Sequence, residues 1–244
     1  MLSAGLTDIG LVRKVNEDSF LCDFQLKDLH FYIVADGMGG HNAGEIASSM
    51  AIDYVRTYME KIYMEILMTV ENITFMIRKA IQYANERVYK KSIMNSQYVG
   101  MGTTFTLVCI YGDHMIIGHV GDSRVYRINS DGIVRLTNDH SLVEELLRNG
   151  TIGPEEAANH PQKNVITRAL GTSYSIEVDT FVYPIVKEDN ILVCSDGLTN
   201  EVGELEIQSI VERNTDMNLV CKELIDKAKD FGGYDNITVI VVRV

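Results

Sequence analysis

The chain has 244 residues, 46% of them hydrophobic, with 34 acidic against 22 basic side chains and a formal net charge of −12. That length fits one large domain or two small ones, and with only three prolines and no serine-, glycine- or charge-rich boundary the reading is a single domain over 1–244. The acidic surplus would be repelled by a phosphate backbone, which argues against nucleic acid as a partner.

In chain order, the apolar run at 31–34 predicts a strand. From 43 to 59 the small and apolar positions Ile46, Ala47, Met50, Ala51, Tyr54, Val55, Tyr58 and Met59 recur with helical spacing, and 66–88 repeats the pattern through Val70, Ile73, Ile77, Ile81 and Ala84. Strands are predicted at 104–110, 114–120, 124–128 and 133–136. Gly112-Asp113 and Ser130-Asp131-Gly132 serve as hairpin turns between them, so the sheets are at least partly antiparallel. Residues 148–164 hold Gly150, Gly153, Pro154 and Pro161 and have no regular pattern; a functional lid and a tolerated surface insertion fit equally. A strand at 191–194, helices at 204–212 and 219–229, and a strand at 237–242 follow. Strands, two helices, more strands and then mixed elements make an α+β chain.

Nothing approaches eighteen consecutive apolar residues, so no membrane span is expected. Residues 1–10 lack the basic and apolar regions of a signal peptide. Cys22, Cys109, Cys194 and Cys221 form no CxxC pair, and three of them lie in apolar runs, as free thiols do in a reducing compartment. The expectation is a cytoplasmic protein, with a monomer as the default.

Four aspartates share one context. Asp36 and Asp196 each follow an apolar run and precede a glycine, Asp122 follows another run, and Asp235 stands just before the last strand. A lone aspartate at a strand end is usually a turn residue. Four gathered together would repel one another and raise their pKa values. Lys and Arg are scarce beside them in sequence, so a cation is the natural counter-charge. No HxH, HExxH or Cys/His cluster exists, which disfavours zinc, whereas oxygen ligands suit magnesium or manganese. Two such ions can activate a water and clamp a phosphate oxygen. Arg13, in a polar stretch with Glu17 and Asp18, offers a guanidinium able to grip two phosphate oxygens.

Taken together these residues carry a resemblance. Arg13 with Asn16-Glu17-Asp18, then Asp36-Gly37-Met38-Gly39-Gly40-His41, Gly100-Met101-Gly102-Thr103-Thr104 and Gly121-Asp122-Ser123-Arg124 stand in order. Asp139-His140-Ser141, Thr167-Arg168-Ala169-Leu170-Gly171, Ser195-Asp196-Gly197 and Asp235-Asn236-Ile237-Thr238 continue the series. In this the chain resembles the PPM (PP2C) family of Mg/Mn-dependent serine/threonine protein phosphatases, in its bacterial branch. The resemblance implies an αββα sandwich, two antiparallel sheets flanked by helix pairs. It implies two ions held by Asp36, the Gly37 carbonyl, Asp196 and Asp235, and a third, weaker ion at Asp122 with Asp196. Arg13 would bind the substrate phosphate, and His41 would protonate the leaving alkoxide or brace its loop. Residues 148–164 match the family's variable flap. Phosphoproteins, the targets of a cognate Ser/Thr kinase, are the implied partners, and no phospho-enzyme is expected. The alternative is a catalytically inactive domain of the same fold kept as a binding module.

Overall fold

The computed structural model describes residues 1–39, 43–158 and 160–244, with Ala158 described by its backbone alone. The chain begins with strands β1 (Leu2–Asp8), β2 (Ser19–Leu26), β3 (Leu29–Ala35) and the two-residue β4 (Gly37–Met38). Helices α1 (Ala43–Ile62) and α2 (Val70–Met94) follow, then β5 (Gly102–Thr103), β6 (Phe105–Tyr111), β7 (His114–Val120), β8 (Arg124–Asn129) and β9 (Gly132–Arg135). Next come α3 (Leu142–Arg148), α4 (Pro154–Ala158), β10 (Asp179–Pro184) and β11 (Asn190–Cys194). The one-turn α5 (Asp196–Thr199), α6 (Glu204–Arg213), α7 (Met217–Asp230) and β12 (Ile237–Arg243) complete the order.

The long strands pair into two five-stranded sheets, β1-β12-β11-β8-β9 and β10-β7-β6-β3-β2, and every pairing is antiparallel. Successive strand side chains point to opposite faces, and this explains why the central strands read as unbroken apolar runs. In β3, Phe31 and Ile33 face α1 and α2, while Tyr32 and Val34 face the other sheet. In β12, Val239 and Val241 face α6 and α7, while Ile240 and Val242 meet the side chains of β3, β6 and β7. Three apolar layers result: helix on sheet, sheet on sheet, sheet on helix. This is the αββα sandwich that the resemblance implies.

Both hairpin turns fall where expected, joining β6 to β7 and β8 to β9. The second helix differs from expectation. It begins at Val70, because Thr69 is extended and its hydroxyl caps the Asn72 amide at 3.3 Å, and it runs on to Met94 with Val88 and Ser92 buried. Strands β1, β2 and β10 lack an apolar run. β1 and β10 are sheet edges, and β2 is broken by an irregularity between Leu21 and Phe24, where Asp23 takes φ 54°. Within 148–164 the structure holds α4, so that stretch is not wholly irregular. No helix among the described residues is long and apolar enough to cross a membrane.

Candidate metal and phosphate site

The acids meet at one end of the sandwich. Asp36 leaves β3, Asp122 leaves β7, Asp196 opens α5 directly after β11, and Asp235 precedes β12. The backbone of Asp36 is clamped from both sides. Its amide donates to the Thr104 hydroxyl at 2.9 Å, and its carbonyl accepts from the Thr104 amide at 2.8 Å and the Thr103 hydroxyl at 2.9 Å. The Gly-Thr-Thr signature thus holds the first aspartate in place. At Gly37 a side chain would collide: a Cβ would lie 2.3 Å from the Gly44 carbonyl and 2.4 Å from that of Glu17. The Glu17 carboxylate in turn accepts from the Gly44 amide at 3.2 Å in the first turn of α1.

Asp18 is the acid that sequence reading undervalues, entering there only as extra charge. It is buried, and its Oδ2 accepts from the hydroxyls of Thr238 at 2.6 Å and Ser195 at 2.8 Å, while its Oδ1 has no partner among the described residues. Thr238 continues the chain of bonds to Thr7 at 2.7 Å, and Thr7 accepts from the Asn16 amide group at 2.9 Å. The available signal is the pair of hydroxyls, Ser195 and Thr238, at the ends of otherwise apolar strands; a buried hydroxyl needs a partner. Asn236 fastens the same segment by donating to the carbonyls of Ile9 and Val15 and accepting from the Glu17 amide.

Burial and mutual repulsion govern the electrostatics. Burial first, then the charges of Asp18, Asp196, Asp122 and Asp235, push Asp36 well above the usual carboxylate range. Asp122 and Asp196 are raised for the same first reason, and burial takes Asp18 up to about 7. Asp36 and Asp196 nonetheless keep part of their surface open, so they line the mouth of the cluster and not its floor. The expectation that cations are scarce beside these acids needs correction: the charge of Arg124 acts to lower Asp122 and Asp196. Arg13 donates to Asp235 Oδ2 at 2.7 Å, a partner 222 positions away that no local reading exposes.

The neighbouring motifs brace the site. The Gly121 amide donates to His140 Nδ1 at 3.0 Å, which leaves the ring proton on Nε2 to reach Asp179 at 3.2 Å, and Arg168 donates to the same carboxylate at 2.7 Å. His119 lies buried between the Thr106 hydroxyl and the Asn138 carbonyl, pushed down to about 4 by burial. Arg124 forks onto Asp139 with contacts of 2.7–3.1 Å. His41 lies outside the described residues.

The donor set fits hard divalent cations. It is all oxygen, it carries an excess of negative charge, and Asp18 Oδ1 and Asp122 Oδ1 are buried without hydrogen-bond partners among the described residues. Among those residues no three acidic, histidine or cysteine side chains already stand as a closed coordination sphere. A cation of two charges would supply the counter-charge that so many gathered carboxylates need.

This sandwich, with acids gathered at one end, is the architecture of a phosphatase family. A sequence model of the family described as Protein phosphatase 2C matches residues 12–222, and the chain belongs to that family. The serine/threonine phosphatase stp of Listeria monocytogenes is 43% identical over 238 residues, covering 97% of this chain and 93% of the relative. Protein phosphatase PhpP of Streptococcus pneumoniae is 36% identical over 242 residues, covering 97% and 95%. Among solved structures, the serine/threonine phosphatase Stp1 from Staphylococcus aureus superposes with a TM-score of 0.93 at 35% identity, covering 100% of this chain and 95% of that one. The catalytic domain of the serine/threonine protein phosphatase PstP, solved with 2 manganese ions, superposes with a TM-score of 0.83 at 31% identity, covering 98% and 96%.

Proposed function

We propose that this chain is a metal-dependent protein phosphatase that hydrolyses phosphoserine and phosphothreonine in proteins. The observation that carries the reading is the convergence of Asp18, Asp36, Asp122, Asp196 and Asp235, where burial and neighbouring acids raise Asp18, Asp36, Asp122 and Asp196, beside the half-exposed guanidinium of Arg13. In this reading Asp36, the Gly37 carbonyl, Asp196 and Asp235 hold two divalent ions, manganese or magnesium, and Asp122 with Asp196 takes a third. Such ions, when bound, lower the pKa of water and neutralise phosphate oxygens.

The chain's own groups do the rest. Arg13, on a loop fastened by Asn236, turns its fork from Asp235 to the phosphate oxygens and fixes the ester for in-line attack. His41 gives a proton to the departing serine or threonine oxygen. No phospho-enzyme is required, and the cysteines do not suit one: Cys194 is buried with its thiol pushed up to about 12, and Cys109 is buried and raised as well.

Residues 148–164 are assigned the part of a flap. Of this stretch, Ala157 and Lys163 line a cavity of about 330 Å³ together with Leu147 of α3, Arg124 and Asn200, and Asn200 donates to Asp196 at 2.9 Å. The reading takes 1–244 as one phosphatase domain, monomeric and cytoplasmic, acting on the targets of a cognate Ser/Thr kinase. Hydrolysis of a phosphothreonine peptide with manganese, with excess EDTA and by Asp196→Asn tests it. Turnover that needs the metal and collapses in the variant supports the reading, whereas metal-dependent turnover surviving in the variant places the ions elsewhere. A folded protein inactive under every condition would return the case to an inactive binding module, which no observation here favours.

A further inference from the structure

Beside Arg13 the surface is apolar. Leu11, Val12 and Tyr234 are 62%, 58% and 64% exposed. Exposed apolar residues scattered singly are ordinary, but these three belong to two loops that are tied together. The Leu11 amide donates to the Gly233 carbonyl at 2.8 Å, and Arg13 bonds Asp235 at 2.7 Å, so the two contacts bracket Val12 on one loop and Tyr234 on the other. The fastening is tight. A Cβ on Gly10 would lie 2.2 Å from the Asp235 carbonyl, and one on Gly232 would lie 2.3 Å from the Tyr234 ring, so Gly232 sets where that ring rests. Phe231 close by is partly covered by Lys227 at 5.2 Å, whereas Leu11, Val12 and Tyr234 are each over half exposed.

We propose that Leu11, Val12 and Tyr234 form a docking ledge for an apolar residue adjoining the phosphorylated residue of the protein substrate. The inference rests on the phosphatase reading, because it takes Arg13 as the phosphate handle. The occupant follows from continuity: Val12 directly precedes Arg13, and Tyr234 directly precedes Asp235. A polypeptide whose phosphate reaches Arg13 therefore lays its adjoining residues over this ledge. The chain carries a net charge of −12, yet this rim presents apolar groups followed by Arg13 and Lys14. With Arg13 taken up by the phosphate in this reading, the exposed apolar groups offer an apolar neighbour a surface to cover. The ledge sets specificity and takes no part in the chemistry.

The test compares kcat/KM, with manganese, on phosphothreonine peptides carrying Leu or Asp beside the phosphoresidue, on each side in turn, and on p-nitrophenyl phosphate. Leu on one side is expected to be preferred by about tenfold. Joining Leu11→Ser to Tyr234→Ser should lower the ratio of peptide to p-nitrophenyl phosphate kcat/KM by about tenfold, through KM, and Leu11→Met with Tyr234→Phe should restore it. The peptide panel needs no variant, so a misfolded double mutant does not decide the matter. An active wild-type protein with no preference for Leu, or a ratio unmoved by the serine substitutions, overturns the ledge alone. A wild-type protein inactive on every substrate overturns the phosphatase reading and the ledge together.

Discussion

Arg13 and Asp235 stand 222 positions apart and meet at 2.7 Å through one guanidinium nitrogen and one carboxylate oxygen, both partly exposed. An exposed ion pair of this kind contributes about 0–1 kcal/mol to stability. Its placement therefore matters for the site and not for the fold. Arg13→Ala should leave the melting temperature within a degree or two of wild type while lowering kcat/KM on a phosphopeptide by about 10²-fold, since a charge-assisted fork at the developing phosphate charge is lost. Arg13→Lys should fall between, keeping charge without the fork. Steady-state kinetics beside a thermal melt decide it; a large stability loss would make Arg13 a structural residue.

Gly37 lies where three segments touch: its own strand β4, the start of α1 and the Glu17 turn. A Cβ there would come within 2.4 Å of two carbonyl oxygens that belong to backbone and cannot swing away. Gly37→Ala must therefore push β4 from α1 and shift the carbonyl proposed to face the cations. The expected result is a folded protein whose manganese affinity falls by about 10²-fold, read by calorimetric titration. Unchanged affinity would remove Gly37 from the site.

Asp139 is buried and takes the fork of Arg124, with Arg135 a further 3.6 Å contact. Removing one partner of such a pair leaves a guanidinium without its counter-charge, which costs about 3 kcal/mol or more when burial is deep. Arg124 is only partly buried, so Asp139→Ala should cost about 2–3 kcal/mol in urea unfolding, and Asp139→Asn less. A loss under about 0.5 kcal/mol would show that water screens the pair as it does at a surface.

The four strand-end aspartates are legible in sequence because each adjoins a strand buried on both faces, whose largely apolar run is broken by few polar residues. The helix pairs are legible from their apolar spacing, and the hairpins from glycine and aspartate. Asp18 is not, because its environment is made by Ser195 and Thr238, 177 and 220 positions away. Nor is β1 visible. It is an edge strand with only Ala4 buried, so its sequence carries no alternation strong enough to separate it from a loop. Stacking of the two sheets comes from the family resemblance, since local periodicity names faces and not what those faces meet.

His119 provides a measurable pH dependence. Burial pushes it down to about 4, whereas an unfolded histidine titrates near 6.5. Between those values the unfolded chain binds a proton that the folded chain refuses, so this residue's contribution to stability is full above about pH 6.5 and is lost as pH falls toward 4. Asp18 works in the opposite sense. Held up to about 7, it binds a proton in the folded chain that the unfolded chain has released, so its contribution declines as pH rises through the same range. The two slopes overlap, and a single melting curve against pH would confuse them. A difference between two proteins separates them, because Asp18 is common to both. In EDTA, the stability of wild type minus that of His119→Gln should rise with pH between about 4 and 6.5, by up to about 1.4 kcal/mol per pH unit, and be flat above. The glutamine can keep bonds to the Thr106 hydroxyl and the Asn138 carbonyl, so the comparison reads protonation more than lost contacts. A difference flat throughout would mean that His119 gains its proton within the fold as readily as in the unfolded chain, and that the buried ring opens to water.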